Sequence, residues 1–138
     1  MLNGSRTALC ALGFVISPAS LLMAQRVHEI RLQANPAREV YRFNPAQVTA
    51  RPGDVLVFRV ASGPPHSIVF ESSGLSETGR AALNGAMTRR TADLSSPLLT
   101  AEGTEYRVVV PPIAPGTYGF YCLPHRAYDM RGQLTVTK

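Results

Sequence analysis

Residues Thr117 to Cys122 alternate so that Tyr118, Phe120 and Cys122 fall on one face of an extended segment. The segment stops at Leu123-Pro124-His125, Met130 follows, and Leu134-Thr135-Val136 reads as a closing strand. This is a strand–loop–strand unit whose single loop carries a thiol, an imidazole and a thioether. A second imidazole, His66, stands far upstream in Pro64-Pro65-His66-Ser67-Ile68-Val69-Phe70. A fold that lets these four donors meet must bring the edge at His66 beside the end of the Cys122 strand. Few other features of the chain restrict its topology as strongly.

The rest of the pattern predicts the strands such a fold needs. Val27 to Leu32 alternates, with His28, Ile30 and Leu32 on one face, and Asn35-Pro36 breaks it. Tyr41-Arg42-Phe43 is short and extended, and Asn44-Pro45 turns it. Gln47 to Ala50 is extended again, up to the turn at Arg51-Pro52-Gly53-Asp54. In Val55 to Val60, Leu56, Phe58 and Val60 share one face and Val57 and Arg59 the other. Ile68 to Phe70 and Tyr106 to Val110 are further strands, the latter stopped by Pro111-Pro112. Between them, Ser73 to Thr100 reads as a long, partly helical connection. Glu77 to Met87 is a short helix there, weakened by Gly79 and Gly85. Short strands separated by turn signals predict an all-β sandwich with a short helical insertion.

The chain has 138 residues, which fits a single domain with its own core. Residues 1–24 read as an export signal. Arg6 is the positive start, Ala8 to Ile16 the apolar run, and Ala24 a small residue at the cleavage point. The run is short and broken by Pro18, so it is a poor membrane span. The expected domain is therefore 25–138, exported to a periplasm or to the cell exterior, with no stable membrane insertion. Removal of the signal takes Arg6 from a formal charge of +5 and leaves a mildly basic chain. Its basic residues are nearly all Arg, and scattered. That excludes the Lys/Arg blocks of nucleic-acid binders and suits acidic protein partners. Cys10 leaves with the signal. Cys122 then has no disulfide partner in an oxidising compartment and must be occupied or deeply buried.

Alone, each donor has an ordinary reading: Cys122 as a buried thiol, His66 as a turn residue, Met130 as core filler. Together, one thiolate, two imidazoles and one thioether are the donor set of a blue-copper electron-transfer site. Thiolate and thioether favour Cu(I), imidazole accepts both oxidation states, and Pro124 stiffens the loop by fixing its φ. The spacing Cys-x2-His-x4-Met between two strands is specific. His28 has no partner motif and reads as a surface or strand-end residue.

Phe43-Asn44-Pro45, Pro52-Gly53-Asp54-Val55, Pro65 to Phe70, Pro115-Gly116-Thr117-Tyr118, Tyr121 to His125 and Met130-Arg131-Gly132 resemble the plastocyanin/azurin family of cupredoxins. The resemblance covers essentially all of 25–138. It implies a Greek-key β-sandwich with one type 1 copper ion at one end. It also implies His66, Cys122, His125 and Met130 as ligands. His125 would be the ligand at the solvent edge, within an apolar patch, and Tyr121 would mark a second docking area. Two departures stand out. Ser67 occupies a position where the family often carries Asn, which ties the two ligand loops; the shorter side chain predicts a looser tie. Arg126, Asp129 and Arg131 make the ligand loop bulkier and more charged, with consequences for partner choice.

The expected function is that of an exported blue-copper electron carrier, a monomer moving between a redox protein donor and an acceptor. The alternative is a copper-binding module for delivery, storage or sensing. Such modules usually use exposed Met-rich or paired-Cys sites, which this chain lacks. Catalysis is not expected. Cys122 and His125 have no third group to orient them as a nucleophile and base, and the chain offers one copper ligand set.

Overall fold

The computed structural model describes residues 24–138. The expected signal, residues 1–24, lies outside the described residues except for Ala24, and so does Cys10. Among the described residues eight strands form: β1 Val27–Asn35, β2 Val40–Asn44, β3 Gln47–Ala50, β4 Val55–Val60, β5 Val69–Phe70, β6 Glu105–Val109, β7 Gly116–Tyr121 and β8 Arg131–Val136. An α-helix, α1, spans Glu77–Ala86. The strands build two four-stranded sheets, ordered β2-β1-β4-β6 and β3-β8-β7-β5. β1 runs parallel to β4 and β3 parallel to β8, while the remaining pairs are antiparallel. Only β1–β2 and β7–β8 are adjacent both in sequence and in a sheet. The chain therefore crosses repeatedly between sheets in a Greek-key sandwich, the all-β fold with a short helix that the pattern predicts.

Alternation explains which faces meet. Ile30, Leu32, Phe58, Phe120 and Leu134 point into the space between the sheets and are at most 1% exposed. Phe120 is the hub of this core. Its ring centroid lies 4.9 Å from Phe43, 5.5 Å from Phe58 and 5.6 Å from Phe70, each pair edge-on. Gly132 faces Phe120 across the β7–β8 ladder. A Cβ on Gly132 would lie 2.4 Å from the Phe120 ring, so only glycine leaves room for the hub.

One outward residue is more buried than alternation alone suggests. Val57 is 3% exposed although it lies on the face opposite Phe58. In register it sits between Glu29 and Arg107. Arg59 is paired with Glu29 and Glu105, and Arg107 with Glu105, so charged side chains roof the sheet and their stems cover Val57.

The connection 73–100, to which the sequence assigns no role, seals one side of the sandwich. The Ser76 side chain caps α1 by accepting the N–H of Gly79 at 3.0 Å. Leu83, Met87, Leu94 and Leu99 from this connection enter the core. Tyr106 anchors its middle by donating to the Thr88 carbonyl at 2.8 Å. Its last part then runs beside residues 66–70. His66 and Leu99 exchange both backbone hydrogen bonds, and the Phe70 amide donates to the Leu94 carbonyl. The connection is thus the outer rail that holds the His66 edge in place.

Candidate metal centre

β7 ends at Tyr121, and the Cys122 N–H donates to the Met130 carbonyl at 3.0 Å. The ladder of β7 with β8 is thereby closed beneath the loop. Within the loop, the His125 amide donates to the Cys122 carbonyl and the Tyr128 amide to the His125 carbonyl. Asp129 adopts a left-handed φ of 57° that returns the chain to β8. Asp is one of the side chains that tolerates this conformation. The loop thus folds back on itself and fixes the spacing of its three candidate donors.

His66 reaches the loop from the other strand edge. Its Nδ1 lies 3.7 Å from Cys122 Sγ, and His125 Nδ1 lies 3.5 Å from the same sulfur. The three donor atoms lie within 4.8 Å of one another. His66 and Cys122 are fully buried, and His125 is partly exposed. Met130 is fully buried beneath the loop, with its amide facing the His125 carbonyl. His28 is not part of this group. It bonds Asp54 at 3.1 Å, as a strand-end residue of β1.

The protons of the site are set by its neighbours. His66 Nε2 lies 2.7 Å from the Ser62 carbonyl, which can only accept. The ring therefore carries its proton on Nε2 and turns the Nδ1 lone pair toward Cys122. Gly63 makes this possible. At φ +62° it brings the turn against β1, where any Cβ would meet the Ala34 carbonyl oxygen. Burial holds both imidazoles below their ordinary pKa, so they are neutral at pH 7 and free to coordinate. Burial pushes the Cys122 thiol up, against the opposing amides of Ser67 and His125. A metal that takes the sulfur must therefore displace a proton.

Ser67 ties the two ligand loops together. Its amide faces Cys122 Sγ at 3.5 Å, and its Oγ accepts the Leu123 N–H at 3.1 Å. The tie that the resemblance assigns to Asn is made here by Ser67, whose short side chain reaches the Leu123 N–H of the other loop. The charges of the ligand loop point away from the sulfur. Arg126 lies over the Tyr121 ring at 4.7 Å, and Arg131 bonds Glu71 and Asp129. The sequence gives no sign of Tyr41. Its ring lies 5.1 Å from His125 and stacks on Tyr128 at 4.1 Å.

Two imidazoles, one of them fixed in its tautomer by the Ser62 carbonyl, around one sulfur that already accepts an amide proton suit copper. Comparison with known proteins decides the family. Residues 30–137 match the family described as copper binding proteins, plastocyanin/azurin family. The chain belongs to the plastocyanin/azurin family. Chloroplastic plastocyanin of Oryza sativa subsp. indica is 31% identical over 122 residues, which cover 88% of this chain and 71% of that protein. Plastocyanin of Vicia faba is 33% identical over 108 residues, 78% of this chain and 98% of that protein. The oxidised plastocyanin of Dryopteris crassirhizoma superposes with a TM-score of 0.63 at 27% identity, covering 80% of this chain and all of the other. Pseudoazurin of Methylobacterium extorquens AM1, with a TM-score of 0.52 at 22% identity over 81% of this chain and 76% of that one, shares the fold. Membership in the plastocyanin/azurin family makes copper the cofactor and the protein, in general terms, an electron carrier and not an enzyme.

Proposed function

We propose that the protein is an exported, monomeric blue-copper carrier that exchanges single electrons with a redox protein donor and an acceptor. His66, Cys122, His125 and Met130 would hold the copper, through two imidazoles, a thiolate and a thioether. The observation that carries this reading is the meeting of His66 Nδ1, His125 Nδ1 and Cys122 Sγ at 3.5–3.7 Å from the sulfur. Bound copper supplies a one-electron Cu(I)/Cu(II) couple. The protein's own groups do the rest. Ser62 holds the His66 ring, Ser67 holds the sulfur and the start of the ligand loop, and the Cys122–Met130 backbone bond closes the loop. None of these groups needs to move when the charge changes, which keeps the rearrangement cost low. His125 is the ligand at the surface, beside exposed Leu123 and Tyr128, and offers the route outward. Deep burial of His66 and Cys122 favours retention of the metal over its delivery. Among the described residues no helix is long and apolar enough to cross a membrane.

Cu(II) added to the purified protein should give an intense blue band that a mild reductant bleaches and an oxidant restores. Cys122→Ser should abolish the band while the protein stays folded. A Cys122→Ser protein that keeps both copper and the blue band would overturn the ligand assignment.

A further inference from the structure

The outward face of the β2-β1-β4-β6 sheet holds most of the protein's net charge. Register places Arg42 beside Gln33, Arg31 between Asn44 and Arg59, and Arg107 across from Val57. Residues paired across adjacent strands point to one side, and these share the side of Glu29 and Val57, opposite buried Ile30, Leu32 and Phe58. Arg38, in the turn between β1 and β2, lines a shallow hollow with Gln33 and Arg42. The face thus carries five arginines against two glutamates, Glu29 and Glu105. Residues 25–138 have a formal charge of +4, one less than the +5 of the chain because Arg6 is gone, so an excess of three on one face is most of it.

The two halves of this face differ. On β4 and β6 the charges cancel, since Glu29 and Glu105 hold Arg59 and Glu105 also holds Arg107. On β1 and β2, Arg31, Arg38 and Arg42 make no ion pair among the described residues. Arg42 donates to the neutral amide oxygen of Gln33 at 2.8 Å. The remaining acids near this end lie elsewhere. Glu39 lines a hollow with Tyr41 and Tyr128 on the other side of β2, and Glu102 precedes β6, at the sheet edge opposite β2. The centre of the face is not apolar, because the ion pairs cover Val57. Its exposed valines, Val27 at 59% and Val109 at 48%, stand at the margin where β1 begins and β6 ends. A protein seat has an apolar centre inside a polar rim, and this face has the reverse order. Its free cations are guanidiniums, whose forked donors match phosphate oxygens.

We propose that this sheet face rests on an anionic phospholipid surface, with Arg31, Arg38 and Arg42 at the headgroup phosphates and Val27 and Val109 at the interface. Three unpaired guanidiniums give weak, reversible and salt-sensitive adhesion, and no segment inserts. The strands of the sheet then lie along the membrane. The metal centre sits beyond the C-terminal end of β4, where Ser62 holds His66, so it stays off the lipid and faces along the surface. Adhesion itself needs no copper. Its use rests on the electron-carrier reading: a carrier held loosely to a membrane searches two dimensions for its donor and acceptor.

The core lies within residues 25–138, so the copper-loaded protein of that length is the test molecule. It is sedimented at low salt with vesicles of equal parts phosphatidylglycerol and phosphatidylcholine, and with vesicles of phosphatidylcholine alone. It should pellet with the first and not the second, and about 0.5 M salt should release it. Arg38→Glu combined with Arg42→Glu should lower the partition coefficient about twentyfold or more. Arg89→Glu combined with Arg90→Glu changes the net charge equally, on the 73–100 connection, and should lower it by about threefold at most. Val27→Ser should lower it severalfold with an unchanged salt dependence. Absence of binding to the anionic vesicles, equal losses in the two double variants, or tighter binding to soluble polyglutamate than to lipid would overturn the proposal. The blue band of each variant reports an intact fold. A protein that binds anionic vesicles but never turns blue keeps the lipid face and refutes the carrier reading.

Discussion

Ser67 has the most work for its size. Its Oγ is the acceptor for the Leu123 N–H, and its amide faces the candidate ligand sulfur. Ser67→Ala keeps the amide and removes the hydroxyl. It should cost about 1 kcal/mol of stability in the metal-free protein, read as a shift in the denaturant midpoint, and should speed copper loss to a chelator. Ser67→Asn should restore the tie, because its side chain also presents an oxygen to the opposite loop. An alanine variant with unchanged midpoint and metal retention would show that the bond contributes nothing. The protons of the site give a second expectation. Cys122 is held as a thiol in the metal-free state by burial, so copper uptake should release a proton. Uptake measured in a weakly buffered dye solution should therefore acidify the medium, and copper affinity should rise with pH.

The β7–β8 hairpin depends on a contact that its sequence shows only as a glycine. Gly132→Ala puts a methyl group 2.4 Å from the Phe120 ring, at the hub of the core. Either the ring or the β8 backbone must shift, at a cost of about 1–3 kcal/mol, measured by thermal or chemical unfolding. The blue band should change too, since β8 begins at Arg131, next to Met130. The helix in the connection offers a smaller and cleaner test. Ser76→Ala removes the cap of α1 and should cost about 1 kcal/mol with the blue band unchanged. A change in the band there would mean that the connection transmits strain to His66 through the Leu99 pairing.

Across the whole molecule, acid should destabilise the metal-free protein. His66 is buried and His125 partly buried, and burial lowers the pKa of both neutral rings. In the unfolded chain they take up protons near the ordinary histidine value, about 6.5, before the folded state does. Stability is therefore full above that pH and falls as pH drops below it. Asp54 adds to the fall at lower pH. Burial alone would raise its carboxyl, but hydrogen bonds from the Arg51 amide, His28 and the Arg26 amide outweigh burial and hold it below the ordinary carboxylate range. Its contribution is present above the unfolded pKa near 4 and is lost as pH falls through the folded one. The melting temperature of the copper-free protein should drop between pH 7 and pH 5 and drop further toward pH 3. A flat profile from pH 7 to 5 would contradict the lowered pKa of the two histidines. At pH 7, copper should raise the melting temperature, because the folded state alone assembles the donor set.

Most of the strands were legible because the sheets are half-buried and alternation survives in the sequence. β3 and β4 begin and end where the turn residues place them, and Tyr118, Phe120 and Cys122 share a buried face as the pattern predicts. The three loop donors were legible because one short loop fixes their spacing. The rest depended on contacts between distant segments. β8 starts at Arg131 because Tyr121 pairs with it, although Arg131, Gly132 and Gln133 carry no strand signal of their own. Tyr41 meets His125 only because β2 lies at the sheet edge nearest the ligand loop. The proton on His66 Nε2 is fixed by a carbonyl, which no side-chain pattern can reveal. The connection 73–100 has weak periodicity and many small residues, so its course along His66 follows from core packing. Local periodicity and spacing are written in the order of residues, whereas proton placement, loop ties and the gathering of arginines on one sheet face arise only when the strands pair and the sheets close.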